Sequence, residues 1–322
     1  MSLPRRSLGY SRVTRVRDDF RDPPIVGRLS SGRLHLSEGP IDLIIKAEGE
    51  RPAVRRAEEA ARFRFNGLLG ELVAELEFLR RQLGDAPPPL QGPIARRMAE
   101  AAWPYREAFV TPMVAVAGAV AEAVLAAMVE AAPLRRAFVN NGGDIALHLS
   151  SGAHFDIGIM RSPEELALAQ AARPEAFVRI AWQSPVRGIA TSGRHGRSFS
   201  LGIADGVTVL ARTAADADAA ATMIANAVDI DDPAIRRRPA RALDPDSDLW
   251  DIPVVVEVGT LDEEKIAAAI ACGRERAAAL IDKGWIEGAL ISLRGRWESV
   301  GAAAKDALAI RGPDTPPIDD DL

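Results

Sequence analysis

Asp218 and Thr222 stand four residues apart with only alanines between them, so on a helix their side-chain oxygens share one face. A carboxylate and a hydroxyl are hard ligands suited to magnesium, which takes one or two protein groups and completes its shell with water and phosphate oxygens. The same carboxylate would also complement the helix dipole, and spacing alone does not choose between the two readings. Just upstream, Thr213 and Asp216 have capping-box spacing, which gives Asp216 a structural task at the start of that helix.

A second group of candidates lies in Gly188 to Arg197, GIATSGRHGR, a strand pattern running into a loop rich in glycine, hydroxyls and arginine. Exposed amides near Gly193, the hydroxyls of Thr191 and Ser192, and the paired donors of Arg194 and Arg197 would suit a pyrophosphate. A solvated turn is the plain alternative. The P-loop order G-x-x-x-x-G-K-[ST] and the nucleophile elbow G-x-S-x-G are both absent, so Ser192 with His195 makes a poor hydrolytic pair. A third group is Val139 to Ile145, VNNGGDI. Gly142 and Gly143 form a hairpin turn on one reading; on the other they admit backbone close to a planar ring or phosphate, with Asn141 and Asp144 fixing its polar edge. His35, His148, His154 and His195 show no helical metal spacing, so zinc is not expected, and His154 with Asp156 reads as surface decoration. Cys272, the single cysteine, sits in an alanine-rich run and reads as a small buried thiol.

These groups need elements to hold them. Alternation over residues 24 to 48 predicts an edge hairpin of two strands, and a stripe including Phe63, Phe65, Leu68, Leu69, Leu72, Leu76 and Leu79 predicts a helix over 51 to 83. The proline-rich stretch 86 to 93 marks a connection. Thr111 with Pro112 is read as a capped helix start, leading into a body of Ala, Gly and Val that ends near Glu130. Three short strands follow over 137 to 160, then strand patterns in EAFVRIAWQ, RGIATS, SFSLGI and GVTVLAR, helices at 213 to 228 and 261 to 281, and strands IPVVVEV and ALISL. Helices and strands alternate without regular βαβ units, which favours α+β over a doubly wound fold. The expected organisation is one domain over residues 1 to 310, with 311 to 322 a disordered acidic, proline-rich tail.

A chain of 322 residues that is 48% hydrophobic can bury a large core. With a net charge of -5 and a pI near 5.6 it offers no overall positive field for nucleic acid or anionic membrane, so an anionic ligand must be held locally. The first twenty residues carry arginines without an apolar run after them, so no secretory leader is expected and the cytoplasm is the expected compartment. Glu122 and Glu130 interrupt the most apolar stretch, 113 to 132, which therefore reads as a buried helix rather than a membrane span.

The three motif groups, in this order, resemble the ApbE-like family, whose best-known members are FAD:protein FMN transferases. Asn140 to Asp144 resembles its asparagine and Gly-Gly-Asp motif, Ala190 to Gly193 its Ala-Thr-Ser-Gly motif, and Ala217, Asp218 and Thr222 its helix motif. Gly118 and Glu122 stand in places comparable to the family's glycine-containing helix. The whole chain, with its Thr111-Pro112-Met113 start, most resembles a cytoplasmic, functionally uncharacterised branch of that superfamily. The resemblance implies a T-fold-like architecture of mostly antiparallel sheets packed with helices. It also implies an FAD or related flavin pocket at Asn141, Gly142, Gly143, Asp144, Thr191, Ser192, Gly193 and Arg194, and Mg²⁺ at Asp218 and Thr222. The implied reaction cleaves the FAD pyrophosphate and passes FMN to a hydroxyl of a target flavoprotein; apart from the resemblance, Asp205 is the candidate base for such an enzyme, and a homo-oligomer is compatible with it. The chain departs from the family pattern at Ala117, where a lysine is usual, and at Ser198 to Gly206, which replaces a His, Asp-Pro and Thr-Gly signature. The alternative is a non-catalytic flavin- or pterin-binding module, in which such losses are expected.

Overall fold

Alternating side chains along Leu34–Glu38 (β2) and Ile41–Glu48 (β3) put Leu34, Leu36, Ile41, Leu43 and Ile45 on one buried face, as a period of two requires. The computed structural model describes residues 24–159, 176–196 and 198–310. The other strands are Ile25–Arg28 (β1), Arg136–Asn141 (β4), Asp144–Leu149 (β5), His154–Ile159 (β6), Ala176–Ala181 (β7), Gly188–Ser192 (β8), Gly206–Ala211 (β9), Ile235–Pro239 (β10), Pro253–Val258 (β11), Gly288–Leu293 (β12), Arg296–Val300 (β13) and Leu308–Ile310 (β14). A nine-stranded sheet has the order β1-β2-β3-β4-β5-β8-β9-β12-β13, and every neighbouring pair in it is antiparallel. Strands β14-β7-β6 make a three-stranded sheet, and β10 pairs with β11.

The helices are Arg51–Phe65 (α1), Leu68–Ala74 (α2), Leu76–Leu79 (α3), Pro93–Ala102 (α4), Val116–Ala131 (α5), Ala214–Ala227 (α6), Glu263–Asp282 (α7) and Ala302–Ala307 (α8). Helices α5 and α6 lie on the middle strands β4, β5, β8 and β9, with α1 against α5 and α7 against α6. Their alanine-rich faces join Leu43, Ile45, Val139, Ala146, Ala190, Val207 and Val209 in the larger core. The opposite face of the sheet carries Phe138, Ile145, Leu147 and Ile189, which meet Phe155, Ile157, Val178 and Ile180 of the three-stranded sheet. Phe138 and Phe155 meet edge to face with centroids 5.9 Å apart. The fold is α+β, built on a large antiparallel sheet, as the sequence predicts.

Several local expectations are corrected. The expected hairpin forms as β2 and β3, paired antiparallel around Gly39 and Pro40, but it is not at the edge: β1 adds a third strand outside β2, and β3 pairs with β4 on its other side. The stretch 51 to 79 breaks into α1, α2 and α3; Gly67, at φ 79, is left-handed at the first break. Phe63 is 86% exposed, because α1 turns Ala53, Ala57, Ala61 and Phe65 to the core instead. The Thr111 side chain does not cap: it donates to Asp248 at 2.7 Å, and a 3-10 turn, Pro112–Ala115, precedes α5. SFSLGI forms no strand, and Cys272 is exposed. Asp156, expected at the surface with His154, is buried and takes two hydrogen bonds from Arg179, at 2.6 and 2.7 Å. Among the described residues one helical stretch, Pro112–Ala131, is long and apolar enough to cross a membrane, and half of its most apolar window is buried inside the fold. The expected tail, 311 to 322, lies outside the described residues, as do Arg197 and the residues before 24.

Candidate functional site

Two glycines allow the site's elements to touch backbone to backbone. A Cβ on Gly118 of α5 would collide with the carbonyl of Ala214, and one on Gly188 of β8 with that of Thr213, so both contacts require glycine. They seat the start of α6 against α5 and β8. A polar clamp fixes the same point: Glu122 accepts from the Ala215 amide at 2.7 Å and from Arg97 Nε at 3.0 Å. Arg97 in turn donates to Thr213 Oγ1 at 2.6 Å and to Asp216 Oδ1 at 2.7 Å. Thr213 Oγ1 also accepts from the Asp216 amide at 3.3 Å, the capping contact its spacing predicts. The Arg97 arm was not legible in the sequence, because it lies 116 residues from the threonine it meets.

So held, α6 aims Asp218 at the first turn of α5. Its Oδ2 accepts from the Gly118 amide at 3.0 Å, at a helix end whose own N-cap residue, Ala115, makes no side-chain bond. Asp218 therefore does complement a helix dipole, but that of α5 rather than its own. Burial pushes its carboxyl well above the ordinary carboxylate range, and the charge of Asp144 pushes the same way; the Gly118 and Ala117 amides oppose this, and Glu122 adds to the rise. One turn further along α6, Thr222 Oγ1 lies 3.3 Å from Ser192 Oγ on β8.

The sheet supplies the other wall. Asn141, 7% exposed, donates to the Ala117 carbonyl at 3.2 Å and accepts from the Asp42 amide at 3.4 Å. Gly142 and Gly143, at φ 67 and 114, form the two-residue turn between β4 and β5, with Asn141 paired to Asp144 across it; the Gly143 amide donates to Asn140 Oδ1 at 2.8 Å. Asn141, Asp144 and Ser192 share the sheet face that carries Val139, Ala146 and Ala190 to the helices, the face on which Asp218 and Thr222 sit.

Not every candidate joins them. Thr191 is on the opposite face of β8, where its hydroxyl lies 2.9 Å from that of Thr208. Arg194 is held away from the carboxylates by Asp205, to which it donates at 2.8 and 2.6 Å. His195 approaches the same carboxylate at 3.4 Å, and the Arg294 amide donates to its other oxygen. Gly193 packs against the Asp205 backbone. Asp205 is thus the anchor of the 193 to 196 turn. Among the described residues no three His, Cys, Asp or Glu side chains cluster to hold a metal by themselves. The charge of Asp144 reaches the Asp218 carboxyl, and the hydroxyls of Thr222 and Ser192 stand one turn further along α6; oxygens of this kind are the donors that would suit a hard cation.

The family model described as AbpE bacteria matches residues 26–299. A UPF0280 protein of Archaeoglobus fulgidus is 38% identical over 137 residues, 42% of this chain and 51% of that protein. Another, from Methanospirillum hungatei, is 39% identical over 145 residues, 44% and 54% of the two chains. The chain spans about half the length of the curated relatives it matches. Among solved structures, a variant of the flavin transferase ApbE from Vibrio cholerae aligns over 85% of this chain and 99% of its own at 14% identity, with a TM-score of 0.45. Matched along most of its length by the AbpE bacteria model, and carrying the three motifs of the ApbE-like superfamily in order, the chain belongs to the AbpE bacteria family.

Proposed function

We propose that the protein binds a flavin nucleotide with a magnesium ion where α6, the start of α5 and the β4–β5 turn meet, and that with FAD it acts as an FMN transferase. The observation that carries this reading is the convergence of Ser192 with Thr222, 3.3 Å apart, one turn along α6 from Asp218, which holds the Gly118 amide and feels the charge of Asp144. Segments far apart in the chain supply these oxygens on one face. Magnesium bound at Asp218 and Thr222 would neutralise pyrophosphate charge. Asn141 would set the polar edge of the ring with the amide hydrogen it does not give to the Ala117 carbonyl, and the open space beside Gly143, where a Cβ would meet nothing within 4 Å, would leave room for the ring.

In the transfer, a hydroxyl oxygen of the target flavoprotein bonds to the FMN phosphorus as the pyrophosphate bridge breaks. AMP leaves with the bridging oxygen, and the hydroxyl proton passes to a base. Asp205 is the candidate for that base, although its ion pair with Arg194 must open before it can accept a proton. Two observations favour the second reading, a module that holds a flavin or pterin without cleaving it: Arg194 is occupied by Asp205, and Ala117 offers no charge beside the nucleotide. Incubating the purified protein with FAD and magnesium separates the two. With no target present water takes the place of its hydroxyl, so release of FMN and AMP, abolished by a chelator, is the result expected of the transferase; saturable binding without products supports the module; absence of binding rejects both. A cytoplasmic location belongs to the same proposal.

A further inference from the structure

A cavity of about 550 Å³ is lined by Arg28, Gly49, Arg51, Val54, Arg55 and Glu58. It opens where β3 hands the chain to α1. In the β3–β4 ladder Glu48 pairs with Arg136 and Leu43 with Asn141, so at ~3.3 Å per residue the cavity lies roughly 20 Å from the Asn141 turn. It is a different place from the candidate site described above.

Its charges run against what stabilises a helix on its own. Arg51 opens α1 and Arg55 follows one turn later on the same face, where the macrodipole disfavours cations and like charges four apart repel. No acidic residue stands in the first turn, and Glu50 at the N-cap makes no side-chain hydrogen bond to the free amides. Arg28 is already paired with Glu58. The guanidinium groups of Arg51 and Arg55 make no hydrogen bond or ion pair among the described residues. Two exposed forks of donors with no protein partner among the described residues border an open groove, at a helix start where their charge is disfavoured.

We infer that this cavity takes the phosphate group of a small phosphorylated ligand, held by Arg51 and Arg55, with the remaining volume and Val54 receiving the ligand's body. A tetrahedral dianion matches two guanidinium groups better than a single carboxylate does, since it offers oxygens to both forks at once.

The test is a titration of the full chain with inorganic phosphate at ionic strength fixed by chloride, read by heat and by phosphorus NMR. Saturable millimolar or tighter binding is expected, weakened at least tenfold in Arg51→Gln/Arg55→Gln. The variant Arg56→Gln/Arg62→Gln removes the same charge from α1 away from the cavity and should stay within twofold of the parent. All positions changed are exposed, and circular dichroism checks that both proteins fold. Failure of the parent to saturate, survival of binding in the first variant, or equal loss in both would overturn the proposal. None of these readouts uses FAD, so failure here and failure of the flavin reading are separate results.

Discussion

Asp218 does two things with one carboxylate. One oxygen satisfies the Gly118 amide at the otherwise uncapped start of α5, and the charge of Asp144 helps burial hold the carboxyl above its ordinary range. Replacing it with alanine leaves buried amides unmet, so Asp218→Ala should lose about 1–2 kcal/mol in a urea denaturation. Asp218→Asn keeps a neutral acceptor and should retain most of that stability, while losing any magnesium-dependent rise in Tm. Gly118 is constrained differently: with the Ala214 carbonyl where a methyl would go, Gly118→Ala should cost about 1–3 kcal/mol through overpacking, read as a lower denaturation midpoint with unchanged slope. The spacing of Asp218 and Thr222 was legible in the sequence. That the aspartate serves another helix's amides was not, because the two elements lie 100 residues apart at the contact.

At the scale of elements, the α4–α5–α6 clamp and the β6–β7 pair are each held by an arginine. Arg97 joins α4 to Glu122, Thr213 and Asp216, with its side chain a quarter exposed. Arg97→Met should cost about 1–3 kcal/mol, less than a fully buried pair because water reaches the site. On the other sheet, the Arg179 hydrogen bonds hold the Asp156 carboxyl below its ordinary range against the opposing effect of burial, helped by the charges of Arg179, His154 and Arg136. A lowered folded pKa gives stability that is present above the unfolded value and lost as pH falls through the folded one. The stability difference between the parent and Arg179→Met, about 1 kcal/mol near neutrality, should therefore shrink as pH drops below about 4. Helices rich in alanine were legible by period, and α6 and α7 stand close to where the sequence puts them. Phe63 misled because α1 buries a seam of alanines, and small residues give a weaker periodic signal than a phenylalanine facing water. Strands β10 and β13 went unread, since IRRRP and RWESV carry charges where alternation looks for apolar side chains.

For the whole molecule, the nine-stranded sheet explains why motifs scattered over residues 118 to 222 meet. Strands β4, β5 and β8 are neighbours, and α5 and α6 cross the same face, so alternation sends Asn141, Asp144 and Ser192 to the side where Asp218 and Thr222 arrive. The α+β class and the motif order were legible from the chain; strand order across the sheet was not, because it is settled by pairings such as β5 with β8 that no local pattern encodes. The most direct measurement is a titration of FAD fluorescence with the full chain, with and without magnesium, in the parent and in Asp218→Asn. Saturable one-to-one binding that magnesium tightens in the parent and not in the variant is the expected result. No saturable binding, or binding indifferent to both magnesium and the substitution, would contradict a flavin site at the meeting of α5, α6 and the β4–β5 turn.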